Sequence, residues 1–559
     1  MKKTSLLIAI LICFCFAGKA QECYSDLIAK AKECNQNKKD SLQLKKALLL
    51  YEKAYDNYSD SINDRTLYNA SLLANDLMNF DIAFKFLKPL SELIEDEEGY
   101  PGWDYIIGEY AKDDYKNLLN HPRWKYLEKK AIIKQKTFFE ELYSSEKEFF
   151  DVNKVEYPKN LSAAKIYNHI KESNPYKNKL KQDYSLSLKI NDTLTSSYFV
   201  HLPKNYNPEK KYSALLFLHG AVHYNTFSKF QTKSNLKYWN RFYTKYANEN
   251  DVILIFPQAN KEYNWMTSDK GFFMIPKIIR QLKRAINIDN NKIFISGHSN
   301  GATGSFSYIM KDPTLFAGFF GFNTQPKVFT GGTFIENIKN RSFINFSTDQ
   351  DYYYPVEAND SLSNLCRRIN ADYKDYRYNG FPHWFPEFDE SEPAYKIIFD
   401  DINSRSRNPF PEELNWEIDD ENNGNIDWLN DIKLDTLGQN KVWHKNLNFK
   451  ITKWLEYNDS DSLIVKNVNK TAFNLPNKSG KIITKYQHNE FHFTTSNIMS
   501  FKLYISPEMV NLKKKIKVFV NGKLHFNQKI TYDKEFMLKS FKNNGDREQI
   551  WVNNIKITL

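Results

Sequence analysis

Residues 293–302 constrain the fold more than any other part of the chain. The first three are β-branched or aromatic, as in a strand that is buried on both faces. A Gly-x-Ser-x-Gly sequence follows at 297–301 with Ser299 at its centre, and the small, mixed residues after it can begin a helix. A sharp turn between a buried strand and a helix presents a serine hydroxyl at the carboxyl end of a sheet. This context predicts a nucleophilic Ser299, which the pentapeptide alone would not, because it often occurs by chance.

Apolar strands alternate with helical segments through residues 181–405. Two alternating strands, at 184–190 and 198–202, come first and are expected to pair antiparallel at the sheet edge. Five buried strands follow, with helical segments between them, at 214–218, 252–256, 293–296, 319–322 and 343–346. This order predicts a central α/β domain in which helices cover both faces of a largely parallel sheet.

Residues 21–135 have a helical pattern. Ala47 and Ala83 lie in two similar helical stretches, 36 positions apart (83 − 47), close to the roughly 34-residue period of tetratricopeptide repeats. The segment resembles a short array of such repeats, and the run 118–124 looks like its closing cap. A small helical bundle with an apolar stripe is the alternative. The charged residues 136–180 are predicted to form a connector.

The pattern changes again after residue 405, to short alternating strands separated by Asn and Gly. The run 408–411 indicates a linker. Asn521 and Gly522 lie between two alternating runs and predict a two-residue hairpin turn. Residues 406–559 are therefore expected to form a C-terminal all-β sandwich.

The first 20 residues have the parts of a secretory signal peptide. Lys2 and Lys3 give a positive start, and residues 6–16 form an apolar run too short to span a bilayer comfortably. Gly18 and Ala20 are small residues at the positions that signal peptidase recognises. We expect a secreted or periplasmic protein with no transmembrane segment after signal removal.

Three cysteines follow the predicted signal peptide: Cys23, Cys34 and Cys366. Export would permit a disulfide between Cys23 and Cys34, and two free thiols fit the sequence equally well. Cys366 lies in a helical stretch and is expected to be a buried structural thiol.

The charge of the chain does not indicate a nucleic-acid partner. The 559 residues include 78 Lys and Arg against 67 Asp and Glu, and this surplus of +11 is spread along the chain. No nucleic-acid-binding motif accompanies it. Aromatic residues make up 15% of the chain, so it can form large cores, and its length indicates about three or four domains.

A serine hydroxyl becomes an effective nucleophile when a base, an orienting carboxylate and oxyanion donors surround it. When the nucleophilic serine lies in a turn between a strand and a helix, the orienting carboxylate comes next along the chain, and the basic histidine follows it. Asp349 and Asp351 both come soon after the strand predicted at 343–346. His383 is the predicted base, because the other four histidines after Asp351 lie in the C-terminal region: His444, His488, His492 and His525.

Backbone N–H groups of Ala221 and Asn300 are the predicted oxyanion donors. Asn300 follows the nucleophile, and Ala221 follows the strand predicted at 214–218. His219 is expected to be structural. Three side chains are candidates for substrate contact: His298, Trp265 and Trp384. Core positions remain equally open for the two tryptophans, and no metal or cofactor is expected.

The ordered serine, acid and histidine resemble those of α/β-hydrolase esterases of the polyhydroxyalkanoate-depolymerase and feruloyl-esterase type, over residues 180–400. The run 286–302 is similar to that family's approach to its nucleophile. The resemblance implies an α/β-hydrolase sheet. It favours Asp351 as the acid, because this residue precedes Pro355 by four positions, and leaves Asp349 to cap the loop backbone.

The chain departs from the family pattern at two positions. Ala302 stands where the family often has a second glycine, and Ala221 ends a His-Gly-Ala sequence where relatives show His-Gly-Gly. Both changes keep the backbone donors. The run 500–526 looks like a β-domain appended to secreted esterases of this type.

Together these features predict a secreted serine carboxylic-ester hydrolase that acts through an acyl-enzyme on a small-molecule or polymer-linked ester. Two alternatives remain. A serine peptidase on the same fold is one, because a triad does not by itself select esters over amides. The other is a catalytically silent binding protein, whose helical repeats and β-sandwich would recruit a partner or a glycan.

Overall fold

The computed structural model describes residues 23–559 except 37–38, 158–159, 224–225, 268–269 and 461. The predicted signal peptide, residues 1–20, lies outside the described residues. The chain divides into two compact units, Met1–Glu141 and Leu142–Leu559. No described helix has both the length and the apolar character needed to cross a bilayer.

The first unit is helical, as predicted. Its helices are α1 Tyr24–Gln36, α2 Ser41–Asn57, α3 Asp64–Asp76, α4 Phe80–Glu92, α5 Asp104–Ile107, α6 Ala111–Asp114 and the start of α7, Pro122–Phe149. Helix α1 packs with α2, and α3 packs with α4. Ala47 and Ala83 are fully buried in the second helix of each pair. Side chains of Asp40, Asn63 and Asn79 cap the starts of three of these helices. The assignment of the pairs as tetratricopeptide repeats stays a prediction.

The cysteines are free thiols in the part of the chain that the structure describes. Cys23 is exposed, and Cys34 is partly exposed. Cys366 is buried, and this burial raises the pKa of its thiol to about 12. A thiol with a raised pKa is a poor nucleophile, which fits the structural role predicted for Cys366.

The predicted connector, residues 136–180, contains helical structure, and its assignment as a connector stays a prediction. Helix α7 continues unbroken past residue 135, and α8 follows at Ala163–Glu172. Ile166, Tyr167 and Ile170 of α8 belong to the same hydrophobic cluster as the C-terminal strands. Charged side chains on the exposed faces of these helices led the sequence analysis to predict a connector.

An eight-stranded mixed sheet forms the centre of the second unit, consistent with the expected α/β-hydrolase sheet. Its strands are β1 Asp183–Lys189, β2 Thr195–His201, β3 Tyr212–Leu218, β4 Ile253–Pro257, β5 Ile288–Gly297, β6 Gly318–Phe322, β7 Ser342–Gln350 and β8 Tyr373–Pro382. They follow the order β1-β2-β4-β3-β5-β6-β7-β8. The predicted antiparallel edge pair is β1–β2, and β2 also runs antiparallel to β4. The remaining neighbours are parallel.

Helices cover both faces of this sheet, as the burial of both faces of β3 requires. The helices are α9 Arg241–Asn250, α10 Met274–Ala285, α11 Asn300–Lys311, α12 Val356–Arg368 and α13 Glu392–Ser404. Ala214, Leu216 and Leu218 pack in one cluster with α10, α11 and α12. Leu215 packs in the other cluster with α9 and α13. Successive residues of a strand point to opposite faces, so one apolar strand supplies both clusters.

Two further sheets lie in the C-terminal region. One contains β9 Glu413–Ile418, β13 Gly480–Gln487, β14 Glu490–Ser496, β16 Ile516–Val520 and β17 Lys523–Gln528, in the order β17-β16-β14-β13-β9. The other contains β10 Leu429–Leu434, β15 Ile498–Ile505 and β18 Asn553–Thr558, in the order β10-β15-β18. Residues of both sheets share one hydrophobic cluster. The predicted Asn521–Gly522 hairpin joins β16 to β17, with φ of 49° and 80° at the two turn residues.

The C-terminal region is not all-β, which corrects the predicted fold class. Helix α14, Lys534–Asn544, buries Met537 in the shared cluster. The side chain of Asp533 caps its start, and Gly545 ends it in the left-handed conformation. These end signals are present in the sequence, so the helix was predictable. A separate hairpin, β11 Lys450–Tyr457 and β12 Leu463–Thr471, also belongs to this part of the chain.

A buried ion cluster joins the C-terminal region to the central sheet. Oδ2 of Asp546 accepts hydrogen bonds from Nζ of Lys283, at 2.9 Å, and from Nη2 of Arg407, at 3.0 Å. Burial alone would raise the pKa of Asp546, but Arg407 and Lys283 together outweigh burial and lower it to about 2. Arg407, which directly precedes the predicted linker, also donates a hydrogen bond to Oδ1 of Asn291 in β5 and so holds the start of the linker against the sheet. Residues 142–559 form one compact unit, and the division of this unit into domains at 181–405 and 406–559 stays a prediction.

Asp546→Asn should lower the free energy of unfolding by about 3–5 kcal/mol, because Lys283 and Arg407 would stay buried without an anionic partner. Urea denaturation followed by tryptophan fluorescence measures this loss. Asp389→Asn is the matched control, since Asp389 pairs with Arg241 at 2.8 Å but is 90% exposed. The control substitution should lower the free energy of unfolding by less than about 1 kcal/mol. Equally small losses in the two variants would contradict the role of the buried cluster.

Candidate active site

Ser299 lies at the tight turn between β5 and α11. Its backbone has φ 56° and ψ −121°, a sparsely populated conformation that costs on the order of 1–3 kcal/mol. A Cβ at Gly301 would lie 1.8 Å from the carbonyl oxygen of Leu218, and one at Gly297 would lie 2.2 Å from the carbonyl carbon of Gly301. Glycine is therefore required at both positions for the strand and the helix to approach. The strand–turn–helix predicted around Ser299 is present.

The predicted base and acid lie side by side. Nδ1 of His383 is 2.9 Å from Oδ1 of Asp351, and the two residues are only 4% and 2% exposed. Oδ1 of Asp351 also accepts the backbone N–H of Tyr353 at 2.8 Å. A carboxylate that accepts the Nδ1 proton fixes the imidazole tautomer and leaves Nε2 as the basic nitrogen.

Asp349, the other acid candidate, sets the register that brings this pair together. Thr348 of β7 lies opposite Tyr378 of β8, but two positions later Gln350 lies opposite Pro382. Strand β8 therefore bulges between these two pairs, at Gly380, which has a φ of 86°. Oδ1 of Asp349 accepts the N–H of Gly380 at 2.7 Å and holds this bulge. The residues that follow the Gln350–Pro382 pair are Asp351 and His383.

Nε2 of His383 is buried and has no hydrogen-bond partner among the described residues. The hydrogen bond between Ser299 and His383 is therefore not formed in this structure. An unpaired buried polar atom costs about 1–3 kcal/mol, and a ligand or substrate group can supply the missing partner. In enzymes without substrate such hydrogen bonds are often long or misaligned and shorten in the complex.

The loop of His383 is fixed through its own carbonyl oxygen. This oxygen accepts hydrogen bonds from Nε2 of His298, at 2.8 Å, and from Nδ2 of Asn323, at 2.7 Å. Burial, and then the neighbouring His383, lower the pKa of His298 to about 3, so its ring is neutral near pH 7. The predicted contact of His298 with substrate stays a prediction; in the structure its ring is buried and bonded to the backbone of the predicted base. Ser299 is its chain neighbour, so the contact keeps the serine turn next to the loop of His383.

The two predicted oxyanion donors both lie near Ser299. A Cβ at Gly220 would be 3.1 Å from Cβ of Ser299, so the loop that contains Ala221 lies against the nucleophile. Asn300 is the first residue of α11, where N–H groups have no acceptor within the helix. Their function as oxyanion donors stays a prediction.

His219 holds the Ala221 loop, in agreement with its expected structural role. Its Nε2 accepts the N–H of Ala259 at 3.1 Å, so Nδ1 carries the proton and donates to the carbonyl oxygen of Gly220 at 2.7 Å. Burial lowers the pKa of His219, which favours the neutral ring that this pattern needs.

The two tryptophans predicted to contact substrate differ in location. Trp265 is 1% exposed and packs against His219 and Gly304, so its position is that of a core residue. Trp384 is 37% exposed, and its ring centroid lies 6.3 Å from that of His383. Only Trp384 is therefore open to a substrate beside the base.

Four other aromatic residues near the site were not predicted from the sequence. The ring of Tyr353 lies 4.2 Å from the imidazole of His383, and that of Tyr352 lies 6.4 Å away. Both tyrosines directly follow Asp351 in the sequence, so their location near the site could have been predicted. Trp239 is 5.1 Å from the ring of His298, and Tyr457 contacts Tyr352. Both come from distant parts of the chain, so the sequence gave no indication of them.

A second serine–histidine–carboxylate chain lies in the C-terminal region. Nδ1 of His444 is 2.9 Å from Oγ of Ser496, and its Nε2 is 2.8 Å from Oε1 of Glu417. The side chain of His444 is fully buried, and Ser496 ends strand β14 rather than occupying a tight turn. This chain is inaccessible to a substrate, and its hydrogen bonds satisfy buried polar groups. In the part of the chain that is described, no group of His, Cys, Asp or Glu is arranged to hold a metal ion.

Part of the chain is similar to solved structures of esterases and other serine hydrolases. A thermostable esterase is 23% identical with a TM-score of 0.33, over 40% of this chain and 64% of the esterase. A ferulic acid esterase is 15% identical with a TM-score of 0.32, over 39% of this chain and 98% of that protein. A Bacteroides ovatus structure, provisionally assigned as dipeptidyl aminopeptidase IV, is 13% identical with a TM-score of 0.33, over 40% of this chain and 36% of its own.

These similarities do not establish a family for the chain. It spans less than two thirds of the length of the thermostable esterase and of the Bacteroides ovatus protein. No protein-family model and no curated protein matches the sequence.

His298→Gln should make unfolding less sensitive to acid. The folded state keeps His298 neutral down to about pH 3, whereas an unfolded histidine takes up a proton near pH 6.5, so stability is lost as the pH falls between these values. From about pH 7.5 to about pH 5 this linkage removes roughly 2 kcal/mol in the natural chain and nothing in the variant. Urea denaturation at the two pH values measures the difference. His492→Gln, at an exposed position, should leave the pH dependence unchanged, and an unaltered slope in His298→Gln would contradict the buried neutral state.

Proposed function

We propose that this protein is a secreted serine carboxylic-ester hydrolase of the α/β-hydrolase class. One observation carries the proposal: a buried imidazole, His383, is bound through Nδ1 to Asp351 and has an unpaired Nε2. The adjoining loop holds Ser299 in the strained conformation of a nucleophile turn. Asp351 retains the tautomer whose Nε2 lone pair can accept a proton, and stabilises the imidazolium that results.

In the proposed acylation step, Oγ of Ser299 bonds to the ester carbonyl carbon while its proton passes to Nε2 of His383. The carbonyl oxygen becomes negative, and the backbone N–H groups of Ala221 and Asn300 stabilise this charge. The bond between the carbonyl carbon and the alcohol oxygen then breaks. Nε2 returns the proton to that oxygen, so the alcohol leaves and the acyl group remains on Ser299.

Water completes the cycle in the proposed deacylation step. Nε2 of His383 takes a proton from water as the water oxygen attacks the acyl carbon. The bond to Oγ of Ser299 breaks, Oγ regains the proton, and the carboxylic acid is released. The serine, the imidazole and the backbone donors supply every proton transfer and charge contact in this cycle, which uses no metal or cofactor.

The flanking parts support a broader proposal. The signal-like residues 1–20 support export. The paired helices α1–α2 and α3–α4, with Ala47 and Ala83 buried in equivalent helices, support a tetratricopeptide-like unit that recruits a protein partner. The two sheets that share one cluster support a β-sandwich. A small-molecule or polymer-linked ester of the kind cleaved by polyhydroxyalkanoate-depolymerase or feruloyl-esterase enzymes fits this organisation.

Ser299→Ala should reduce hydrolysis of nitrophenyl acetate by at least about 10³-fold, because the proposed acyl-enzyme forms on Oγ of Ser299. Steady-state kinetics and labelling by a fluorophosphonate probe measure the loss. Ser404→Ala, at an exposed position at the end of α13, is the control and should keep full activity and labelling.

Three outcomes distinguish the alternatives. Hydrolysis and labelling that depend on Ser299, with esters cleaved faster than aminoacyl nitroanilides, support the esterase. Faster cleavage of the nitroanilides would identify a peptidase on the same fold. A correctly folded protein that neither hydrolyses an ester nor reacts with the probe would refute the enzyme and leave the binding protein.

A further inference from the structure

The β11–β12 hairpin belongs by sequence to the C-terminal region but packs on the central sheet. Ile451 of β11 is buried in the hydrophobic cluster that also contains Leu362 and Leu365 of α12. Trp454 and Val468 are partly buried against the same cluster. Among the described residues, the two strands pair only with each other, so neither C-terminal sheet includes them. The hairpin is therefore an arm that reaches from one region of the chain to the other.

Trp454 fixes this arm to the loop that carries Asp351. Its Nε1 donates a hydrogen bond to the carbonyl oxygen of Tyr352 at 3.0 Å, and its ring lies 6.2 Å from that of Tyr354 in an edge contact. Nζ of Lys470 lies 4.0 Å from the centre of the Trp454 ring. Because Tyr352 follows Asp351 directly, the hairpin contacts the backbone of the acid loop itself.

The anchored hairpin places Tyr457 against Tyr352, an aromatic neighbour of the base. Tyr457 ends β11, is 48% exposed, and its ring lies 5.2 Å from that of Tyr352. Tyr352 in turn lies 4.4 Å from Tyr353 and 6.3 Å from Trp384. Three of these rings contact the imidazole of His383, and Tyr457 extends the group through Tyr352. The four residues form an aromatic shelf beside the base: Tyr352, Tyr353, Trp384 and Tyr457. Three of the four rings are substantially exposed, so the shelf has open faces.

We propose that Tyr457 determines specificity by completing a shelf that holds a ring in the alcohol part of the ester. This inference rests on the proposed function. The alcohol oxygen receives its proton from Nε2 of His383, so the leaving group lies on the side of the imidazole, where the shelf is. Aromatic faces stack on aryl rings and on the apolar faces of pyranose rings, and the tyrosine hydroxyls can hydrogen-bond to polar groups at the ring edge.

Three variants and three acetate esters test the inference. The esters are phenyl acetate, an acetylated methyl glucopyranoside and ethyl acetate, which has no ring. Tyr457→Ala should lower kcat/KM for one or both ring-bearing esters about fivefold, mainly through KM, and leave ethyl acetate unchanged. Tyr457→Phe should retain stacking and most of the activity. Val465→Ala, at an exposed position on β12 of the same hairpin, should have no effect.

The pattern of losses identifies the alcohol and can overturn the inference. A loss confined to phenyl acetate identifies an aryl alcohol, and a loss confined to the glucopyranoside identifies a sugar. An equal loss for ethyl acetate would overturn the inference, since the hairpin would then act only by holding the acid loop. Unchanged kinetics with all three esters would also overturn it.

A binding measurement separates this inference from the proposed function. Benzyl alcohol and methyl glucopyranoside are titrated into the Ser299→Ala variant, with and without Tyr457→Ala, and chemical shifts report binding. Binding that weakens when Tyr457 is removed supports the shelf even if no ester is hydrolysed, in which case only the proposed reaction is refuted. Binding that stays the same when Tyr457 is replaced, or the absence of any binding, overturns the inference.

Discussion

The hydrogen bond between Nδ1 of His383 and Asp351 is the contact on which the candidate site depends, and the register of two neighbouring strands produces it. Strands β7 and β8 run parallel, so the residues that follow them meet at the same edge of the sheet. A regular ladder would not bring these two residues opposite each other. The bulge at Gly380, held by the carboxylate of Asp349, lets Gln350 face Pro382 and so aligns the next residue of each strand.

This arrangement explains which parts of the site the sequence could predict. Ser299 was predictable because its glycines are a local requirement: any side chain at Gly301 would collide with the backbone of β3. His383 was predictable from chain order. The residues alone did not show whether Asp349 or Asp351 is the acid. Both support the same strand register, but Asp349 binds the backbone, whereas Asp351 binds the imidazole. The family resemblance favoured Asp351, and the structure places that residue against His383.

The parts that the sequence did not predict depend on contacts between distant residues. Trp454 and Tyr352 are 102 positions apart, and nothing in either local pattern indicates that they meet. Helix α8 was assigned to a connector because its exposed face is charged, while its three buried residues complete a core formed mostly by later strands. His444 and Ser496 show the opposite case: their types and geometry suit catalysis, but complete burial closes them to any substrate.

The ion cluster at Asp546 has a consequence for how the chain reaches its folded state. Lys283 and Arg407 precede their anionic partner by 263 and 139 positions. While the chain is being made, both cations are available long before the carboxylate that permits their burial. The interior face of α10 therefore cannot lose all of its water until the segment that contains Asp546 has been synthesised. Packing of the central sheet is completed only after this segment, which lies outside the sheet, has bound. A fragment ending at residue 405 would lack Arg407 and Asp546 and would leave Lys283 hydrated at its surface.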